Sequence, residues 1–164
     1  MKTDIIQYKF ESDVGPIYLE ASESGLRGCH LEKQNTPLVA SSAEAGPAQK
    51  YLDQAENEIH EYLAGKRKKF EVKLEILGTP FQVKVWKQLQ QIPFGKAVSY
   101  KELAESINNP KATRAVGTAN GRNNFCIIIP CHRVIASDGT LGGYSGGLPF
   151  KKHLLNLEKI AFKD

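Results

Sequence analysis

Gly78-Thr79-Pro80 divides the sequence into two halves that ask for different architectures. Before it, residues 5–10 and 17–21 are strand-like and flank Asp13-Val14-Gly15-Pro16, so the spacing predicts a hairpin. Residues 26–31, after Ser24-Gly25, predict a third strand, and the Ser/Ala/Pro-rich residues 35–47 predict a loop. A helix is expected over residues 47–64, stopping at Gly65, with Leu52, Ala55, Ile59, Tyr62 and Leu63 on its apolar face. Residues 70–74 resemble a short edge strand. Beyond the boundary the pattern turns helical. Thr79 is a natural N-cap and Pro80 a first helical residue. Phe81, Val85, Leu89 and Ile92 then space a helix up to Pro93, with Trp86 in its core. Ser99 and Glu102 form a capping-box pattern ahead of a helix at residues 100–107. Asn108-Asn109 breaks that helix, and Pro110 starts another reaching about Asn120-Gly121. A last helix should carry Phe150, Leu154, Leu157 and Ala161 on its inner stripe. Two domains are therefore expected, residues 1–78 and 79–164.

Charge separates the same halves. Residues 1–78 hold 10 Lys/Arg against 13 Asp/Glu, a net of −3; residues 79–164 hold 12 against 5, a net of +7. Two short helices joined by a tight turn in the basic half suit a helix-turn-helix on a polyanion, and equally suit an ordinary helical core. The second of them is slim, built from Ala112, Ala115, Val116, Gly117, Thr118 and Ala119, with Arg114 its one long central side chain. The longest apolar run, residues 125–130, is far short of the roughly 20 residues a membrane helix needs. The start, MKTDIIQYKF, has no apolar leader core, so a cytoplasmic protein without a membrane partner is expected.

Three cysteines are too few and too irregular for a disulfide framework. Cys126 sits inside the apolar run, where a buried strand and a structural thiol are expected. Cys131 leaves that run just after Pro130 and precedes His132 and Arg133, groups that favour the reactive thiolate. On a strand His132 would point away from the sulfur, so a bend is required. Glu158 lies beside the inner stripe of the last helix, where a carboxylate needs a partner. His132 is the natural one, completing a Cys–His–Glu relay. The Gly-rich residues 142–147 surround Tyr144-Ser145 and let backbone approach a planar ligand, without the order of a phosphate-binding loop.

Ile129-Pro130-Cys131-His132-Arg133-Val134 resembles the active-site signature of the O6-alkylguanine-DNA alkyltransferases. The likeness continues through Phe94-Gly95, Ser99-Tyr100, Asn109-Pro110-Lys111-Ala112, Arg114-Ala115-Val116-Gly117, Asn123, Tyr144-Ser145-Gly146-Gly147 and Glu158. It covers residues 80–160, while the N-terminal half matches only in layout.

The resemblance implies an α+β protein, with an N-terminal ribonuclease H-like domain and a C-terminal winged-helix-like domain carrying the cysteine. It implies direct-reversal repair of double-stranded DNA, in which an alkyl (methyl) group moves irreversibly from O6-alkylguanine to Cys131 after the nucleotide flips out. O4-alkylthymine is a further candidate substrate. His132, through a water, and Glu158 would serve Cys131, and Asn123 would brace the site. Tyr100 would help rotate the nucleotide and protonate the guanine. Arg114 would fill the gap in the duplex, and Lys111, Ala112, Ala115, Gly117 and Asn120 would meet the minor groove. Val134, Tyr144, Ser145 and Gly146, with Tyr100, would form the alkylguanine pocket. Some relatives hold zinc in the first domain, but here Cys29 and His30 are in the wrong register, so no metal and no cofactor is expected. The protein would be a monomer in solution, with cooperative binding on DNA left open.

The chemistry points the same way independently. A base inside a duplex cannot present its O6-alkyl carbon in line to a thiolate, so it must be extruded. The product is a thioether, which has no carbonyl for water to attack, and the protein is spent after one transfer. Three alternatives remain, of which only the first uses the same relay. A cysteine hydrolase would turn over, and a sensor of alkylated bases, like a plain winged-helix regulator, would not need Cys131.

Overall fold

The computed structural model describes residues 4–164. They form two compact units: residues 4–77 together with 124–128, and residues 78–123 together with 129–164.

In the first unit, β1 (Ile6–Ser12), β2 (Gly15–Ser22) and β3 (Gly25–His30) form an antiparallel meander. β4 (Leu38–Val39) pairs parallel to β1, giving the order β3-β2-β1-β4. The hairpin turn is tighter than the sequence suggests, because Gly15 and Pro16 already pair with Ser12 and Glu11. Ser12 Oγ holds the turn, donating to Gly15 O at 2.8 Å and accepting from Val14 N at 3.2 Å. The expected loop at 35–47 contains β4 and two 3-10 turns, and α1 (Gln49–Leu63) starts two residues after Pro47. Gly65, at φ +77°, closes it in the left-handed conformation that suits a helix end. Leu52, Ala55, Ile59 and Tyr62 are fully buried.

Two strand expectations fail in this unit. Residues 70–74 make one bridge, Leu74 to Leu26, and no strand. The N–H groups of Glu71 and Val72 are instead taken by the buried Glu58 carboxylate, at 2.9 and 3.1 Å. Residues 125–130 are not a strand either. Phe125 alone bridges Cys29, after which Ile128 N–H folds back onto Cys126 O at 2.8 Å and Ile127 stands at φ +73°. A short apolar run satisfies its burial equally well as a strand or as a buried turn, and periodicity does not separate the two.

In the second unit, α2 (Pro80–Leu89) is held by a capping box between Thr79 and Gln82. It ends before Pro93, through a turn in which Gln91 N–H and Ile92 N–H bond back to Gln88 O and Leu89 O. Trp86 is core, its indole N–H donating to Ala119 O at 2.8 Å. β5 (Val98–Ser99) pairs parallel to β6 (Val134–Ile135). α3 (Tyr100–Ser106) opens on the Ser99/Glu102 capping box. A 3-10 turn at Pro110–Ala112 leads into α4 (Thr113–Gly121), which packs on α2 and α3. α5 (Leu148–Leu157) buries Lys151, Leu154 and Leu155. Its inner stripe differs from expectation: Leu157 is half-buried and Ala161 exposed. The helix ends at Leu157, and Lys159 at φ +60° reverses the chain so that Ile160 turns inward instead. No helix among the described residues is long and apolar enough to cross a membrane.

Candidate functional site

The second unit gathers the polar groups of the site at one short 3-10 turn, Cys131–Arg133. This turn is the bend that the sequence demanded. Pro130 O accepts from Arg133 N–H at 3.0 Å and Ile129 O from Cys131 N–H at 2.7 Å. Side chains in such a turn fan out about a third of a revolution per residue. Cys131, His132 and Arg133 therefore point to three sides instead of alternating as on a strand.

Glu158, at the C-cap of α5, is the hub. Its Oε2 accepts from His132 Nε2 at 2.6 Å and from Arg133 Nη2 at 3.1 Å. Its Oε1 accepts from Arg133 Nε at 2.8 Å and from the backbone N–H of Gly95 at 3.0 Å. Arg133 meets the carboxylate as a two-pronged fork, the strong geometry for this pair. It also donates to Ile92 O at 2.6 Å. Gly95 stands at φ +84°, a conformation that suits glycine and turns its N–H toward the carboxylate. Burial alone would raise the Glu158 pKa, but the bonds from His132, Arg133 and Gly95 outweigh it and hold it at about 2. Burial pushes His132 below its ordinary value, and Glu158 offsets this only in part. The resulting state is a neutral imidazole beside an ionised carboxylate. Because Nε2–H donates to Glu158, the basic lone pair lies on Nδ1. This is the tautomer in which a histidine can take a thiol proton.

The asparagines act on the same turn from inside. Asn123 Nδ2 donates to Ile129 O at 2.9 Å, as expected of a brace. Asn120, expected to meet the groove, is 3% exposed and donates to the carbonyl of Cys131 at 3.4 Å. It lies on the inner side of α4 with Val116 and Ala119, so it supports the turn and does not contact the surface. Lys111, Arg114 and Ala115 are exposed, and Ala112 and Gly117 are partly so. Thr79, Gln82, Lys111, Arg114, Thr118 and Arg122 line an open groove of about 680 Å³. Arg122 is an exposed cation there that the sequence reading did not single out.

Tyr100 begins α3. Burial raises its pKa, which a hydrogen bond from the Gly143 backbone partly offsets, so the phenol keeps its proton. Any Cβ on Gly142 would lie 2.6 Å from the Tyr100 hydroxyl, so this loop closes on Tyr100 only with glycine there. Val134 is buried, Tyr144 and Gly146 are partly buried and Ser145 is exposed. Tyr144 stacks on Phe150 of α5, with ring centroids 6.1 Å apart.

Besides Arg122, reading the sequence missed the roles of three residues. Arg133 serves Glu158, not the thiol, and the Gly95 amide completes the carboxylate's shell. Lys151 is fully buried and donates to the carbonyls of Val134, Leu141 and Gly143. A signal for Lys151 existed, because it shares the i, i+3, i+4, i+7 face of Leu154, Leu155 and Glu158. Among the described residues, no group of three His, Cys, Asp or Glu side chains is placed to hold a metal.

Comparisons with known proteins agree with this organisation. The family described as 6-O-methylguanine DNA methyltransferase, DNA binding domain, matches residues 80–160. Its ribonuclease-like domain matches residues 5–76. A methylated-DNA–protein-cysteine methyltransferase of Methanosarcina acetivorans is 44% identical over 149 residues, 91% of this chain and 95% of that protein. The constitutive enzyme of that name from Bacillus subtilis is 47% identical over 114 residues, 69% of each chain. The crystal structure of Mycobacterium tuberculosis OGT in complex with DNA superposes with a TM-score of 0.83 at 37% identity, covering 94% of this chain and 92% of that one. The fold is thus an N-terminal ribonuclease-like domain followed by a C-terminal DNA-binding domain. The chain belongs to the methylated-DNA–protein-cysteine methyltransferase family.

Proposed function

We propose that this protein binds double-stranded DNA and repairs O6-alkylguanine by taking the alkyl group onto Cys131. The observation that carries the reading is the His132–Glu158 pair beside Cys131, fixed in the tautomer that accepts a thiol proton. In the proposed reaction the Cys131 proton passes to His132 Nδ1, through a water. The sulfur attacks the alkyl carbon, a C–S bond forms, the C–O6 bond breaks, and its electron pair stays on the guanine. Tyr100, kept protonated by its surroundings, donates to the departing base and recovers a proton from His132, so the thiol proton ends on guanine. Glu158 stabilises the imidazolium in between. The glycine loop with Tyr144, Ser145 and Gly146, and the backbone of Cys131 and Val134, would hold the base.

Arg114, Lys111 and Arg122 line one groove on the basic half, which suits phosphate contact and an Arg114 side chain inserted where the base has left the stack. α4, with Ala112, Ala115 and Gly117 on its surface, is slim enough for a minor groove. The acceptor must be a free thiol, which suits a reducing, cytoplasmic setting.

The test is intact-mass analysis after incubation with duplex containing O6-methylguanine. One methyl group per chain is expected, on the peptide carrying Cys131, and none in Cys131→Ala. Multiple turnovers without an adduct would show a hydrolase instead. As a second check, Arg114→Ala should slow transfer from duplex at least about tenfold more than transfer from the free alkylated base, since filling the duplex matters only there. Equal losses on both substrates would remove that role.

A further inference from the structure

Cys131, His132 and Glu158 leave one buried charge of this unit unexplained, the ammonium of Lys151. It is fully buried on α5, with no carboxylate bonded to it. All three of its donors go to backbone carbonyls: Val134 O at 2.7 Å, Gly143 O at 3.1 Å, and Leu141 O by a very short contact. Burying a cation without a counter-ion is costly, and a core leucine would fill this stripe position more cheaply. The carbonyls belong to two separate segments. Val134 directly follows the Cys131–Arg133 turn, and Leu141 and Gly143 belong to the glycine loop. That loop's other face is engaged too, because the Gly143 backbone bonds the Tyr100 hydroxyl and Gly142 lies against it with no room for a Cβ. The loop is thus clasped between a pyramidal cation on one side and a phenol on the other.

We propose that Lys151 is a positioning residue of the alkyl-transfer site, clasping the Leu141–Gly143 loop to Val134 so that the base-holding loop and the Tyr100 hydroxyl stand in register with Cys131. Its hydrogen bonds go to backbone carbonyls, and it acts through that backbone. The inference rests on the alkyl-transfer reading above. Burial pulls the Lys151 pKa down to about 8, with the Cys131 thiolate opposing the shift, so the clasp weakens within an accessible pH range. Apart from the Cys131 thiol, whose ionisation the iodoacetamide reaction reads separately, the other titratable groups around it do not change charge there. His132 and Glu158 are held below their ordinary values, and Tyr100 is held above its own.

The experiment compares the full-length protein with Lys151→Met and Lys151→Arg in three measurements. These are transfer from O6-benzylguanine as free base, transfer from O6-methylguanine in duplex, and carbamidomethylation of Cys131 by iodoacetamide, read by peptide mass. Methionine removes the charge. Arginine keeps it, but its planar fork does not fit three pyramidally placed carbonyls. Both variants should lose at least tenfold in both transfers while the iodoacetamide rate changes less than threefold, because that reagent needs no base-holding loop. Equal loss in all three measurements would place Lys151 on the thiolate and overturn the clasp, as would no loss in any. If the variants do not fold, the unsubstituted protein decides. Its transfer rate should fall above pH of about 8 while iodoacetamide reactivity keeps rising, and two curves rising together overturn the proposal. Absence of any Cys131 adduct in the unsubstituted protein would instead sink the underlying reading.

Discussion

Each unit of this protein buries one glutamate, and the two do different work. Glu58, 4% exposed on α1, accepts from the backbone N–H groups of Glu71 and Val72 and from the Gln54 amide at 2.9 Å. Its ion pair with Arg67 is a looser contact at 3.8 Å. Glu158, 3% exposed at the end of α5, accepts from one backbone N–H, from a guanidinium fork and from an imidazole. Both satisfy the rule that a buried carboxylate must be hydrogen-bonded. What separates them is the partner set. Amides can only hold a carboxylate in place, so Glu58 pins the segment after α1. An imidazole passes on the influence of the carboxylate, because Nε2–H bonded to Glu158 makes the far nitrogen a base. Burial marks both as important, and only the chemistry of the donors separates the glutamate proposed for the relay from the structural one.

The largest expected effect breaks the comparison at Glu158. Glu158→Gln should slow alkyl transfer by about a hundredfold, the usual scale for disabling an acid–base group. It should also destabilise the fold by about 3–5 kcal/mol by leaving Arg133 buried without its carboxylate. Single-turnover kinetics and urea unfolding measure the two, and an unchanged transfer rate would reduce Glu158 to a structural role like that of Glu58.

Next in size is an acid limb in the stability profile. The folded pKa of Glu158, about 2, lies below the ordinary 4.5, so its contribution is complete above pH 4.5 and is lost as pH falls toward 2. By linkage that loss is on the order of 3 kcal/mol. His132 is also held below its ordinary 6.5, so its share is present above pH 6.5 and is lost on acidification below it. Unfolding followed from pH 7 to pH 3 should show both losses, and Glu158→Gln should shrink the limb below 4.5 to what other low-lying carboxylates such as Glu20 contribute. The smallest effect is at the other glutamate. Glu58→Gln should cost about 1–2 kcal/mol, the scale of an imperfectly replaced hydrogen bond, with the transfer rate unchanged. A slowed transfer would overturn the division of roles drawn here.

The cysteines show how much of the site was legible. Exposure does not distinguish them, since Cys29, Cys126 and Cys131 are 0%, 6% and 1% exposed. Cys131 stood out from the sequence because Pro130 precedes it and His132 and Arg133 follow it, and the structure adds the bend that reading required. The premise about the preceding residues was wrong, because they form a buried turn and not a strand. The proposal for Cys131 does not depend on that premise, because it rests on the residue types around Cys131 and not on the geometry before it. The Asn120 reading did not survive. A helix of mostly small residues has no strong apolar stripe to announce its inner face, and Asn120 fell on that face.

Sequence alone determined what local chemistry dictates: the Thr79 and Ser99 caps, the hairpin, the stripe of α1, and the cysteine–histidine pair at residues 131–132. Those signals involve residues within a turn or two of one another. Tertiary structure decided which of several buried cations met which acceptor. Arg133 took Glu158 from 25 residues away, Gly95 reached it across 63, and Lys151 went to carbonyls where no carboxylate lay. Such pairings follow from distances between elements, and a periodicity confined to one element carries no information about them.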